Sequence, residues 1–241
     1  SSNHDRDFDG HGTHCAGTAV GKTFGWARNA AIYGLKVNGL EGSGDSGTGI
    51  SISNCFDVIK LWHRKKPVDP ITGCKRPTII NASWGYSTTV GTMTEVSYRG
   101  VTYNSGNDGS FNSTPNTHMR DTYGIYPYYS NFAYRCPVRV TSVDVDVQEL
   151  IDEGVHVCVA AGNNSYKMDI STGDDYNNTL TRSGTAVYYH RGSSPYSEEA
   201  FMVGSLLSEN AVGDKKVSFS SCGPAVDIYA AGDEITSCTS N

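Results

Sequence analysis

No CxxC pair occurs among the seven cysteines of this 241-residue chain, which argues against a zinc knuckle. Charge is sparse, at 18% of residues, and proline is scarce, with 8 against 27 glycines. Few charges among many glycines argue against a disordered chain, a coiled coil or a nucleic-acid binder. Positive charge is in deficit: 19 Lys and Arg face 25 Asp and Glu, a formal net charge of −6. A phosphate backbone is repelled by that balance unless a local basic patch overrides it. Long hydrophobic runs are missing too, since the longest strongly apolar stretch is Val155 to Ala161, far short of a membrane span. Ser1 to Gly10 carries neither an initiator Met nor a basic-then-apolar leader, and Ser237 to Asn241 ends as abruptly. The expectation is a processed start or a piece of a longer protein. What is present, 37% hydrophobic residues over this length, is enough for one large core without help from a metal or a disulfide.

Helix and strand signals alternate, which predicts an α/β layered fold. The small residues 12–20 predict a tightly packed helix, and Ala31–Val37 reads as a strand. A glycine-rich loop from Gly39 to Gly49 leads into a helix over Ile50–Lys65. Ile52, Phe56, Ile59 and Trp62 recur there near helical spacing. Arg64, Lys65 and Lys66 suit its C-terminus as a solvated end, and Pro67 stops it. Further strands are expected at 78–83, 155–161, 200–203 and 226–229, with a short helix through Val147, Leu150 and Ile151. The run Val155–Ala161 has the look of a central parallel strand. Residues 86–142 hold 8 of the 15 tyrosines and show no clear period, so they read as an insertion. Residues 164–196 read as a second one. The tyrosines suit either ordinary packing or a partner surface.

Cys55 and Cys158 lie in apolar segments and read as buried hydrophobes. Cys74, Cys136, Cys222 and Cys238 sit in loop-like surroundings and can pair in an oxidising compartment. The odd total of seven cysteines leaves at least one free thiol.

The chemistry centres on Asp9-Gly10-His11-Gly12-Thr13-His14-Cys15-Ala16-Gly17-Thr18. A histidine bordered by glycines at a helix start lets a substrate backbone approach and suits a general base. Taken alone, His11 reads first as a structural turn residue, with half of a metal site with His14 as the other alternative. No third ligand stands at recognisable spacing for the latter.

This decapeptide resembles the histidine motif of the subtilisin-like serine proteases, and the Cys15 form looks most like the proteinase K branch. Four more blocks follow in that family's order. Gly34-Leu35-Lys36-Val37 with Gly42-Ser43-Gly44 resembles one wall of the substrate cleft, and Ile80–Gly85, containing Ser83-Trp84-Gly85, resembles the other. Val157–Asn163 resembles the strand that ends at the oxyanion-hole asparagine, and Val217–Pro224 the segment before the nucleophile. The resemblance implies a three-layer α/β/α fold with a mainly parallel sheet, seen as one partial peptidase domain over 1–241. It assigns His11 the general base and acid role and Asn163 the oxyanion donor role. Gly42, Ser43, Gly44, Ser83, Trp84, Gly85, Ala160, Ala161 and Gly162 line the cleft. By itself Asn163 would read as a turn former after Gly162.

The family's triad runs Asp, His, Ser, and both outer members are missing. Asp5, Asp7 and Asp9 are too close to His11 to serve, and no Gly-Thr-Ser-Met-Ala occurs. Ser183-Gly184-Thr185-Ala186 echoes that motif in the wrong place, with alanine at the nucleophile position. Truncation at both ends accounts for this pattern, so these residues alone are expected to be inactive. The alternative is a non-catalytic binding or structural module on the same fold.

No cofactor is required by this chemistry. Structural calcium fits family habit without assignable ligands: Asp5-Arg6-Asp7-Phe8-Asp9-Gly10 begins like a calcium loop, but Ala16 stands where its glutamate belongs. The implied partners are polypeptide substrates, with neither nucleic acid nor membrane, and the implied state is a monomer. An extracellular or otherwise exported location rests on the resemblance alone.

Overall fold

The computed structural model describes residues 7, 9–37, 51–128, 130–208 and 214–240. The chain divides into two compact units, Ser1–Lys66 with Asp233–Asn241, and Pro67–Gly232.

In the first unit, helix α1 spans His11–Val20 and α2 spans Ile52–Arg64. Gly10 adopts φ 82° just before α1, a left-handed turn that glycine makes without steric cost. Asp7 then caps the helix. Its Oδ1 accepts from Gly10 N at 3.0 Å, and its Oδ2 accepts from Thr13 N and Thr13 Oγ1, both at 2.7 Å. The small residues of α1 have a packing purpose. A Cβ at buried Gly17 would lie 2.5 Å from Ser237 Oγ and 2.7 Å from Cys238 N, so the 233–240 segment crosses the helix at this point. Ser237 Oγ donates to His14 O at 2.6 Å, and His14 Nε2 lies 3.1 Å from Ile235 O.

Helix α2 begins at Ser51, whose hydroxyl accepts from Asn54 N, a standard way of satisfying an orphaned first-turn donor. Its buried residues are Cys55, Phe56 and His63. Trp62 is instead 40% exposed, with Tyr33 packed at 4.9 Å and Lys66 Nζ at 4.1 Å from its ring. The inward face therefore runs through 52, 55, 56, 59 and 63. The strand expected at Ala31–Val37 is not formed: the segment has no ladder partner among the described residues, and Ile32 and Tyr33 stay exposed. β propensity alone does not hold a strand that pairs with nothing.

In the second unit the strands are β1 (Ile79–Ala82), β2 (Ser87–Val90), β3 (Glu95–Tyr98), β4 (Val101–Tyr103), β5 (Pro127–Tyr128), β6 (Ser130–Pro137), β7 (His156–Ala160), β8 (Thr179–Arg182), β9 (Thr185–Tyr188), β10 (Phe201–Leu206) and β11 (Ile228–Ala231). Helix α3 spans Thr117–Tyr123 and α4 spans Thr141–Asp152. A parallel sheet runs in the order β1-β7-β10-β11, which meets the α/β expectation and places the apolar run 155–161 in an interior strand. Helix α4 packs on β7 through the stripe Val143, Val147 and Leu150, all buried. It is longer than the short helix read from the sequence. Gly154, at φ 87°, turns the chain from α4 into β7.

The aperiodic stretches carry their own structure. Antiparallel sheets in the orders β2-β6-β5 and β4-β3-β8-β9 are built from them. The second of these joins the two stretches, since β3 from one pairs with β8 from the other, Val96 opposite Leu180. A core of Val96, Met119, Ile125 and Leu180, with the tyrosines Tyr123, Tyr134, Tyr166 and Tyr189, lies between these elements. For these tyrosines the packing alternative holds. Cys136 belongs to β6 and is fully buried, its Sγ 3.5 Å from Tyr166 Oη, which corrects its reading as a loop cysteine. Ser183 and Gly184, at φ 48° and 78°, are the two central residues of the β8–β9 hairpin. Both have the positive φ such a tight turn requires. The echo of a nucleophile motif is a turn.

Candidate active site

In an open parallel sheet the strands end together at one edge, and ligands bind beyond those carboxyl ends. Strands β1 and β7 are neighbours with Ala82 opposite Val159. The segments that follow them, Ser83-Trp84-Gly85 and Ala160-Ala161-Gly162-Asn163, therefore leave the sheet at the same edge. Two of the sequence-predicted groups are brought together in this way.

Each segment is held by the backbone around it. Ala161 N donates to Val203 O at 2.9 Å, which carries the β7 pairing with β10 past the strand's formal end. Gly162 sits at φ 102°, a backbone that side-chain-bearing residues rarely adopt. Its carbonyl accepts from Ser221 N at 2.9 Å, and Ser165 N donates to Phe219 O at 2.9 Å. The 217–222 block thus runs beside the end of β7 and fixes the turn that carries Asn163. The asparagine itself is exposed. Ala161 is buried, while Ala160 and Gly162 are half-buried.

On the neighbouring strand, Asn81 Nδ2 donates to Ser83 Oγ at 2.8 Å. A Cβ at Gly85 would lie 2.5 Å from Ser193 Oγ, so the chain at 193–194 passes close beside it. Tyr86 N donates to Ser194 O at 3.2 Å. Ser194 is wholly buried, and its hydroxyl accepts from Val140 N at 2.6 Å. These serines support the 83–86 segment from behind, and nothing local in their sequence signals the role.

His11 opens α1 in the first unit, on its exposed side. Cys15, one turn on, places its Sγ 3.8 Å from His11 Nε2, as their spacing of four implies. Asp7 sets the helix start that presents His11, and the Thr13 hydroxyl, followed by the Thr13 and Gly10 amides, holds its carboxyl below the usual range. Both Asp7 oxygens are engaged by the helix start. His14 is occupied by Ile235 O, and no group of three or more His, Cys, Asp or Glu side chains is clustered for a metal among the described residues. Gly42, Ser43 and Gly44 lie outside the described residues. No helix among the described residues is long and apolar enough to cross a membrane.

The subtilase family model matches residues 1–241. Subtilisin-like protease 5 of Arthroderma benhamiae is 28% identical over 235 residues, covering 98% of this chain and 38% of that protein. Subtilisin-like protease 1 of Arthroderma otae is 26% identical over 235 residues, covering 97% and 31%. The chain thus spans well under half the length of these relatives. Among solved structures, a cold adapted subtilisin-like serine proteinase aligns with 22% identity and a TM-score of 0.48, over 97% of this chain and 53% of that one.

Proposed function

Because the chain belongs to the subtilase family, we propose that it is part of a serine endopeptidase that hydrolyses polypeptides through an acyl-enzyme. The observation that carries this reading is the shared edge of β1 and β7, where Ser83–Gly85 and Ala160–Asn163 emerge side by side. Such an edge offers main-chain groups to an extended peptide, with Ala160, Ala161 and Gly162 leaving room for its side chain. Asn163 aims an amide donor at the oxygen that becomes negative as the carbonyl is attacked. His11 takes the serine proton and returns it to the leaving amine. The thiol of Cys15 beside the His11 ring accords with the proteinase K branch.

The chain holds the family's histidine and asparagine motifs but no match to its aspartate or serine motif. These 241 residues alone therefore cleave no peptide at a useful rate. The reading needs no cofactor and treats the protein as an exported monomer acting on polypeptides.

The test is a peptidase assay on the full-length gene product and its variants. Asn163→Ala is expected to lower kcat by about 10²–10³, the loss known for a subtilisin's own oxyanion-hole asparagine. KM should change far less, since the amide acts mainly in the transition state. His11→Ala should leave only residual activity. A wild-type full-length product that cleaves nothing would replace this reading with a non-catalytic binding module.

A further inference from the structure

The stretches 86–142 and 164–196, together with Cys222, line an open pocket of about 340 Å³ that includes Arg99, Arg120, Lys167 and His190. Its back wall is a buried polar network. The Asp175 carboxylate accepts from Arg99 Nε and Nη2 at 2.7 and 3.0 Å, from Lys167 Nζ at 2.6 Å and from Asn178 Nδ2 at 3.1 Å. Asn178 Oδ1 accepts from Arg99 N at 2.7 Å, which fixes the orientation of the amide. The Nδ2 group therefore donates to His190 Nδ1 at 3.1 Å. With Nδ1 accepting, the proton of the neutral ring is on Nε2.

That Nε2–H has no partner, although His190 is only 2% exposed. The Gly124 backbone lies alongside the ring. A Cβ at Gly124 would stand 3.1 Å from Nε2, so any larger residue would crowd this donor. A buried donor without an acceptor is costly, and here it belongs to a residue that lines a pocket. The ring is neutral near pH 7, because burial, partly offset by Asp175, lowers His190 to about 4.

The rest of the lining matches one class of acceptor. Three cationic side chains face two carboxylates there, Asp121 and Asp175. Arg120 holds Asp121 through Nε and Nη2, and Arg99 holds Asp175 through the same two atoms, so each guanidinium keeps its Nη1 edge. Both arginines are about half exposed. Tyr98 and Tyr126 add aromatic wall.

We propose that this pocket binds a small organic carboxylate. One oxygen accepts from His190 Nε2, the other meets the Nη1 edges of Arg99 and Arg120, and the carbon skeleton lies against Tyr98 and Tyr126. Guanidinium forks favour carboxylates through charge-assisted hydrogen bonds, and the volume suits a small ligand. The source is either a free acid or the C-terminus of a peptide. Cys222 of the 217–224 block shares in the lining, but the test below reads ligand binding and not peptidase activity.

The experiment titrates benzoate, N-acetylphenylalanine, their neutral amides and inorganic phosphate into the full-length protein with ¹⁵N-labelled histidine. His190→Gln identifies the His190 signal. Binding of either acid should shift that signal, and the matching amide should bind at least about tenfold more weakly. Preference for N-acetylphenylalanine identifies a peptide terminus, and preference for benzoate a free acid. Arg120→Gln, on the surface, should weaken binding about tenfold with an unchanged circular dichroism spectrum. No shift with either acid up to about 10 mM overturns the proposal. So does equal binding of the amides, or phosphate competing on equal terms.

Discussion

The neutral state of buried His190 makes a quantitative demand on stability. Its pKa is about 4 in the folded protein, chiefly through burial, with Asp175 and Asp169 pulling upward and Lys167 downward, against about 6.5 in an unfolded chain. The folded state binds fewer protons between those values, so stability rises with pH across that window and falls as pH drops from 6.5 towards 4. Two and a half pH units correspond to about 3 kcal/mol in full, and about 2 kcal/mol is already lost between pH 7 and pH 5. The window lies above the range in which Asp7 and Asp175 gain protons, both being held below 3.8, so the two effects separate. His190→Gln keeps an acceptor for Asn178 but cannot titrate. Chemical denaturation of the full-length protein at pH 7 and pH 5 should show the wild type losing about 2 kcal/mol more than the variant. Equal losses in the two proteins would refute the buried, neutral imidazole, and with it the donor assigned to the pocket.

Other consequences are simpler to test. Asp7→Ala removes the cap of α1 and should cost about 1 kcal/mol at pH 7 by denaturant titration. Because the folded carboxyl is held below 3.8, the gap between wild type and variant should close as pH falls through that range. Leu150→Ala opens a hole between α4 and β7 at a fully buried position and should cost about 2–5 kcal/mol. In thiol labelling of the native protein, Cys74 and Cys238, both exposed, should react first. Cys55 and Cys136 should react only after unfolding, since burial shields both and pushes the Cys136 thiol up to about 12. Native-state modification of Cys136 would contradict the packing of β6.

Much of the candidate site is legible locally. The glycine pair around His11, the small residues of α1 and the apolar run before Asn163 each report a constraint on the residues that carry it. A helix start or an interior strand leaves such marks in its own sequence. The insertions were less legible because their order comes from pairing at a distance. Glu95-Val96-Ser97-Tyr98 and Thr179-Leu180-Thr181-Arg182 do alternate, and Arg99-Gly100 and Ser183-Gly184 are turn dipeptides. Four residues of alternation among many Ser, Thr and Tyr is too short a signal to stand alone. Opposite errors arose at Ala31–Val37, which has strand composition but no partner among the described residues.

By itself, then, the amino-acid order determined the α/β class, the helix that begins at His11 and the glycine-bounded strand that ends before Asn163, because each follows from a short-range rule of backbone and burial. Only tertiary structure decided that Ser83–Gly85 and Ala160–Asn163 emerge together, and that Arg99, Lys167, Asn178 and His190 meet around Asp175. Those groups are separated by up to 91 residues along the chain. Their meeting depends on strand register and on the pairing of β3 with β8, relations between segments that no single segment encodes.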